Sequence, residues 1–92
     1  MTRVAVVTGG TRGIGAAISK TLKAAGYRVA ANYGGNDAAA RQFNEETGIP
    51  VYKWDVSSYE DCAAGLKKVE ADLGPVEVLI NNAGITRDTM FH

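Results

Sequence analysis

The sequence predicts an α/β fold: a Rossmann-like, doubly wound parallel sheet, of which these residues form the N-terminal portion in the order βαβαβαβ. Three observations carry that expectation. Short apolar runs rich in Val, Ile and Ala alternate with longer stretches of helical period. The first apolar run passes directly into Thr8-Gly9-Gly10-Thr11-Arg12-Gly13-Ile14-Gly15, and a helical pattern follows at once. Each helical stretch then stops at a glycine (Gly26, Gly48 or Gly74) before the next apolar run opens. Strands that alternate with helices of this length imply right-handed crossovers, hence a parallel sheet covered on both faces. The common dinucleotide-binding arrangement orders the strands 3-2-1-4.

Each element has its own local reason. The first strand is expected at residues 3–7 and the first helix at 13–25, where Ile14, Ala17, Ile18 and Leu22 recur at helical spacing and Gly26 ends the run. Residues 28–33 form the second strand, and Gly34-Gly35-Asn36 turns the chain. Asn36 or Asp37 is the N-cap of an Ala-rich helix to Thr47, closed by Gly48 and barred from continuing by Pro50. The third strand is expected at 51–56. Ser57 followed by Glu60 fits a capping box for a helix that carries Leu66, Val69 and Leu73 up to Gly74-Pro75. A fourth strand, 76–80, reads as buried on both faces although the predicted order places it at the sheet edge. An apolar edge of that kind is an aggregation hazard unless chain or a partner covers it. The expectation is therefore that residues 1–92 are the cofactor-binding part of one larger domain.

Composition narrows the function classes. Ten basic and ten acidic side chains cancel, so nothing supports a nucleic-acid or anionic-membrane partner. No apolar stretch approaches the ~20 residues needed to cross a bilayer. Met1-Thr2-Arg3 runs into the first strand without a secretory h-region, and a cytoplasmic location is expected. The single Cys62 can form no internal disulfide and has no companions at metal-ligand spacing, so no metal site is expected.

The motifs point to a phosphate-bearing cofactor. Thr8-Gly9-x-x-x-Gly13-x-Gly15 departs from G-x-G-x-x-G, and no Lys-Ser or Lys-Thr follows it, so it is not a P-loop. A strand before it and a helix after it make it a pyrophosphate site, with backbone N–H groups around Gly13 and Ile14 facing the anion; the alternative is a tight turn with no ligand. The end of the second strand, Ala30-Ala31-Asn32-Tyr33-Gly34, lacks the acid that would bind a ribose 2′-hydroxyl in an NAD site. Arg12 is placed to grip a 2′-phosphate instead, so NADP is favoured over NAD; otherwise Arg12 is a solvated surface residue. Asp55, after Trp54, either accepts a hydrogen bond from adenine with Val56 packing nearby, or caps the following turn. None of Tyr27, Tyr33, Tyr52 and Tyr59 has a Lys four residues later, so none suits a lysine-assisted proton donor, and His92 has no evident partner.

Together, the glycine turn, Asp55-Val56 and Asn81-Asn82-Ala83-Gly84 resemble the short-chain dehydrogenase/reductase family, over essentially the whole chain. Within it, residues 31–36, 52–56 and 84–88 are similar to NADPH-dependent reductases of 3-oxoacyl thioesters, on coenzyme A or on an acyl carrier protein. The resemblance implies that Thr8 orders the first turn, with Gly9 and Gly15 in the same motif, and that Arg12, Gly13 and Ile14 hold the phosphates. Tyr33 and Gly34 would lie by the adenosine ribose, and Asp55 and Val56 by the adenine. Asn82, Ala83, Gly84 and Ile85 would line the way to the nicotinamide ribose, with Asn81 supporting the sheet. It further implies that the catalytic Ser, Tyr-x-x-x-Lys and Asn lie past His92, so no catalytic residue is expected here. The complete protein is expected to bind an acyl thioester and to form a homo-oligomer. A rival reading is a non-catalytic module that holds NADP or pairs through its open sheet edge. A flavodoxin-like receiver fits poorly, for want of an early acidic cluster.

Overall fold

The computed structural model describes residues 3–82. Strand β1 (Val4–Val7) leads through the glycine turn into helix α1 (Gly13–Ala24), followed by β2 (Arg28–Tyr33), α2 (Asp37–Thr47), β3 (Val51–Lys53), α3 (Tyr59–Leu73) and β4 (Val76–Ile80). The four strands form one sheet in the order β3-β2-β1-β4. All pairings are parallel, with Val6 opposite Ala30 on one side and Leu79 on the other. This is the βαβαβαβ topology and strand order that the sequence predicts.

The doubly wound character follows from the two-residue period of β1. Val4 and Val6 point to one face, where they pack with Ala30, Tyr52, Trp54 and Val69 beneath α3. Val7 points to the other, with Val29, Ala31, Phe43 and Ile49 beneath α1 and α2. Each strand residue is therefore apolar whichever way it faces, which is the signature of a central parallel strand. Fully burying one such Val stabilises the fold by about 1.5–3 kcal/mol.

Three local expectations need correction. Strand β3 ends at Lys53, not at residue 56. It is an edge strand paired with β2 alone, and β2 itself ends at Tyr33, so Asp55 and Val56 have no strand to pair with. The N-cap of α3 is Ser58, whose side chain accepts from the Asp61 N–H at 3.2 Å. Ser57 lies one residue before the N-cap, and its hydroxyl donates to Asp55 Oδ1 at 2.7 Å. Ile14, expected among the apolar face of α1, is instead 75% exposed, while Ile18 and Leu22 pack inward. At the sheet edge, β4 alternates half-buried and exposed residues, with Leu79 51% exposed, because no strand pairs beyond it among the described residues.

Candidate functional site

At the carboxyl end of β1 the chain makes a turn that glycine alone suits. Gly9 (φ 61°) and Gly13 (φ 56°) lie in the left-handed region, which a Cβ disfavours. A side chain on Gly15 would run into the Gly9 carbonyl oxygen and come to 2.7 Å from Asn82 Nδ2. The turn is tied to both neighbouring strands. The Thr8 N–H donates to the Ile80 carbonyl at 3.0 Å, and the Thr8 hydroxyl lies 3.2 Å from Asn81 Oδ1. Asn82 Nδ2 donates to the Gly9 carbonyl at 3.3 Å.

Helix α1 begins without a cap. Arg12 occupies the N-cap in extended conformation, its side chain makes no capping bond, and the first turn holds no acid. By contrast, Asn36 and Ser58 cap α2 and α3 with side-chain oxygens, and both helices carry acids in their first turns. The N–H groups of Gly13, Ile14 and Gly15 thus have no intrahelical acceptor, and the positive end of the dipole has no neutralising acid in that turn. Those are the requirements of an anion site. The Ile14 side chain is exposed at this helix end.

The N-cap Arg12 lines a cavity of about 480 Å³ together with Gly9, Thr11, Tyr33, Gly34, Gly35 and Asn36; Gly13, Ile14 and Gly15 are not part of its lining. That size is ordinary for small-molecule sites, which run from about 300 to 1,000 Å³. The structure therefore brings Gly9, Arg12, Tyr33 and Gly34 around one space, as the sequence suggests. It adds a feature that the sequence did not signal. Asp37, from the first turn of α2, reaches the Tyr33 hydroxyl and is salt-bridged to Lys53 Nζ at 3.2 Å. Partial burial, then the Asp37 hydrogen bond, raises the Tyr33 pKa, and the hydrogen bond from Lys53 holds the Asp37 carboxyl below its usual range. An acid is thus present near the end of β2, but it is already paired.

Asp55 lies past the end of β3, where its Oδ1 accepts from the Ser57 N–H at 2.9 Å and the Ser57 hydroxyl at 2.7 Å. These bonds lower its pKa and realise the turn-capping alternative at that oxygen. Val56 packs against the Trp54 cluster and lines a small cavity of about 130 Å³ with Thr8, Cys62, Leu66, Leu79 and Asn81. Ala83, Gly84 and Ile85 lie outside the described residues. No group of three or more metal-binding side chains occurs among the described residues, and none of their helices is long and apolar enough to cross a membrane.

Sequence reasoning passed over Asn32. It is 1% exposed in the middle of the sheet, accepts from the Gly9 N–H at 3.2 Å, and donates to the Trp54 carbonyl at 3.1 Å. Its signal was present: one amide in an otherwise apolar strand needs a buried partner.

Known proteins share this architecture. The chain is 74% identical over its full length to an acetoacetyl-CoA reductase of Shinella zoogloeoides and 72% identical to one of Rhizobium meliloti. It spans 38% of the length of each of these relatives. A solved actinorhodin polyketide ketoreductase with NADPH superposes with a TM-score of 0.82 at 35% identity, over 91% of this chain and 34% of that one. The family model for short chain dehydrogenase matches residues 3–92, and the chain, with its parallel 3-2-1-4 sheet and glycine turn, belongs to that family.

Proposed function

We propose that residues 1–92 are the N-terminal cofactor-binding part of an NADPH-dependent reductase that converts acetoacetyl-CoA, and 3-oxoacyl-CoA thioesters like it, to the 3-hydroxyacyl-CoA. One observation carries this reading: Arg12, at the uncapped N-terminus of α1, lines the same cavity as Tyr33 and Gly34. A diphosphate would meet the N–H groups of Gly13 and Ile14, and Thr8, Gly9 and Gly15 would keep the turn in shape for it. Arg12 would pair with the 2′-phosphate, and Tyr33 and Gly34 would flank the ribose that bears it. Adenine would lie by Asp55 and Val56. Asn82, Ala83, Gly84 and Ile85 would lead to the nicotinamide ribose. The names of the 72–74% identical relatives support the choice of thioester.

In this reading the bound NADPH supplies the hydride, and this part of the protein holds and orients it. The proton donor, the thioester site and the contacts of a homo-oligomer belong to the rest of a longer chain, working in the cytoplasm. The test is a steady-state assay with NADPH and acetoacetyl-CoA. The full-length protein is expected to turn over, and the 92-residue segment alone is expected not to; turnover by the segment would overturn the division of labour. Arg12→Ala in the full-length protein is expected to weaken NADPH by about 10- to 100-fold, the scale of charge-assisted hydrogen bonds, with NADH nearly unaffected. Comparing acetoacetyl-CoA with the carrier-protein thioester decides between the two substrates.

The exposed β4 edge favours a second reading, a module that pairs with another chain. It predicts a discrete complex that persists on dilution in sizing chromatography.

A further inference from the structure

The backbone of Gly9 is gripped on both sides by asparagine side chains. Its N–H donates to Asn32 Oδ1 at 3.2 Å, and its carbonyl accepts from Asn82 Nδ2 at 3.3 Å. Asn32 carries a second load. Its Nδ2 faces the carbonyls of Trp54 at 3.1 Å and Tyr52 at 3.5 Å, on the segment that leads into Asp55 and Val56. The Gly9–Gly10 peptide is also held at its N–H, which donates to the Asn32 backbone carbonyl at 2.9 Å. At 1% exposure Asn32 touches no solvent and contributes no wall to the cavity, yet it joins the glycine turn to the end of β3.

We infer that Asn32 is a positioning residue that fixes the distance and angle between the diphosphate turn and the adenine end of the cofactor site. The inference rests on the cofactor reading above. Binding across two subsites depends on their relative placement: each end adds its full contribution only when both can be engaged at once. With no Asn32 side chain, Asn82 and the Asn32 backbone still hold the Gly9–Gly10 peptide, but the Gly9 N–H loses its acceptor and the peptide before it is held from one side only. The left-handed conformation of Gly9 (φ 61°) is one of several open to glycine, so orientation needs an outside restraint. The carbonyls of Trp54 and Tyr52 lose a donor in the same step, so the link between the two segments goes, while Asp55 keeps its own bonds to Ser57 and the adenine end stays formed.

The test compares NADPH with 2′-AMP, which reaches the adenosine end alone, in the full-length protein and in Asn32→Leu. The expected result is an NADPH dissociation constant raised about tenfold, the scale of one hydrogen bond, with that of 2′-AMP changed by less than about twofold. Parallel weakening of both ligands, or no change in either, overturns the inference. A second measurement needs no variant. Amide exchange of Gly9 in the ligand-free protein is expected to be slow, because its N–H already has a buried acceptor; fast exchange there overturns the inference as well. If the unmodified protein binds neither ligand, the cofactor reading itself falls and takes this one with it, whereas unchanged affinity in Asn32→Leu removes this one alone.

Discussion

Lys53 Nζ lies 3.2 Å from Asp37 Oδ1 and joins the last residue of β3 to the first turn of α2. In the proposed cofactor site, the pairing sets the charge that an incoming 2′-phosphate meets beside Tyr33. Asp37 follows Asn36, which lines the cavity, and hydrogen-bonds the Tyr33 hydroxyl. Unpaired, it would repel a 2′-phosphate and offer an acceptor to a 2′-hydroxyl, the arrangement that suits NAD. Lys53→Met is therefore expected to lower the preference for NADPH over NADH by about twofold to fivefold, the scale of an exposed ion pair. The check is the ratio of kcat/KM for the two cofactors at low and high salt. The shift is expected to shrink at high salt, because both groups are solvent-screened. A salt-independent shift would mean that Lys53 acts by packing.

Gly15 gives a steric test of the turn. Its missing side chain leaves room for the Gly9 carbonyl, and a methyl there would also press on Asn82 Nδ2 at 2.7 Å. Gly15→Ala is expected to displace backbone, at a cost of about 1–3 kcal/mol from overpacking. NADPH binding should fall with it, since the same carbonyl and amide shape the turn proposed to hold the diphosphate. Gly34→Ala is the contrast: it lines the cavity, yet nothing lies within 4 Å of the added methyl. Its Tm should be unchanged while its affinity for NADPH shifts. Equal Tm values for the two variants would contradict this reading of the turn.

Gly65 sits inside α3, where helix propensity alone recommends alanine by about 1 kcal/mol. Its hydrogen, however, faces the indole ring of Trp54, and a methyl would overlap the six-membered ring. Trp54 is 6% exposed and packs with Val4, Val6 and Val69, so it has nowhere to retreat. Overpacking of about 1–3 kcal/mol should outweigh the propensity gain, and Gly65→Ala is expected to lower stability and shift Trp54 emission to the red. A raised Tm would show that the ring can move aside.

The regular elements were legible because their causes are local. Glycine stops, the Asn36 cap and the apolar periods lie within a few residues of what they control, and the 3-2-1-4 order is the common arrangement of a dinucleotide-binding sheet. What the sequence hid depends on neighbours far along the chain. Strand β3 is short because β2 ends opposite it. The contact between Lys53 and Asp37 spans two elements, so the end of β2 read as free of acid when an acid lies beside it. Asn32 was visible as an anomaly, a lone amide in a buried strand, but its partners Gly9 and Trp54 come from opposite directions in sequence.

Tyr52 ties the core to α3 and makes stability depend on pH in a definite direction. Its hydroxyl donates to Asp72 Oδ2 at 2.8 Å, while its ring packs with Val4, Val6 and Trp54. Burial, reinforced by the hydrogen bond to the carboxylate, pushes its pKa from 10.0 up to about 12. An unfolded chain loses this proton near its ordinary value of about 10. The folded protein keeps it longer, so the stabilisation is complete below about pH 10 and is lost as pH rises from about 10 to about 12. Tyr52→Phe keeps the ring and removes both effects. Asp72 is 45% exposed and is resolvated in the variant, so the neutral-pH cost should sit near the low end for a hydrogen bond, about 1 kcal/mol. Denaturant unfolding of both proteins from pH 7 to 11 tests this, because other tyrosines and lysines cancel in the difference. The gap between the two curves is expected to be constant to about pH 9 and then to close. A gap that stays constant to pH 11 would show that the Tyr52 proton leaves folded and unfolded chains alike.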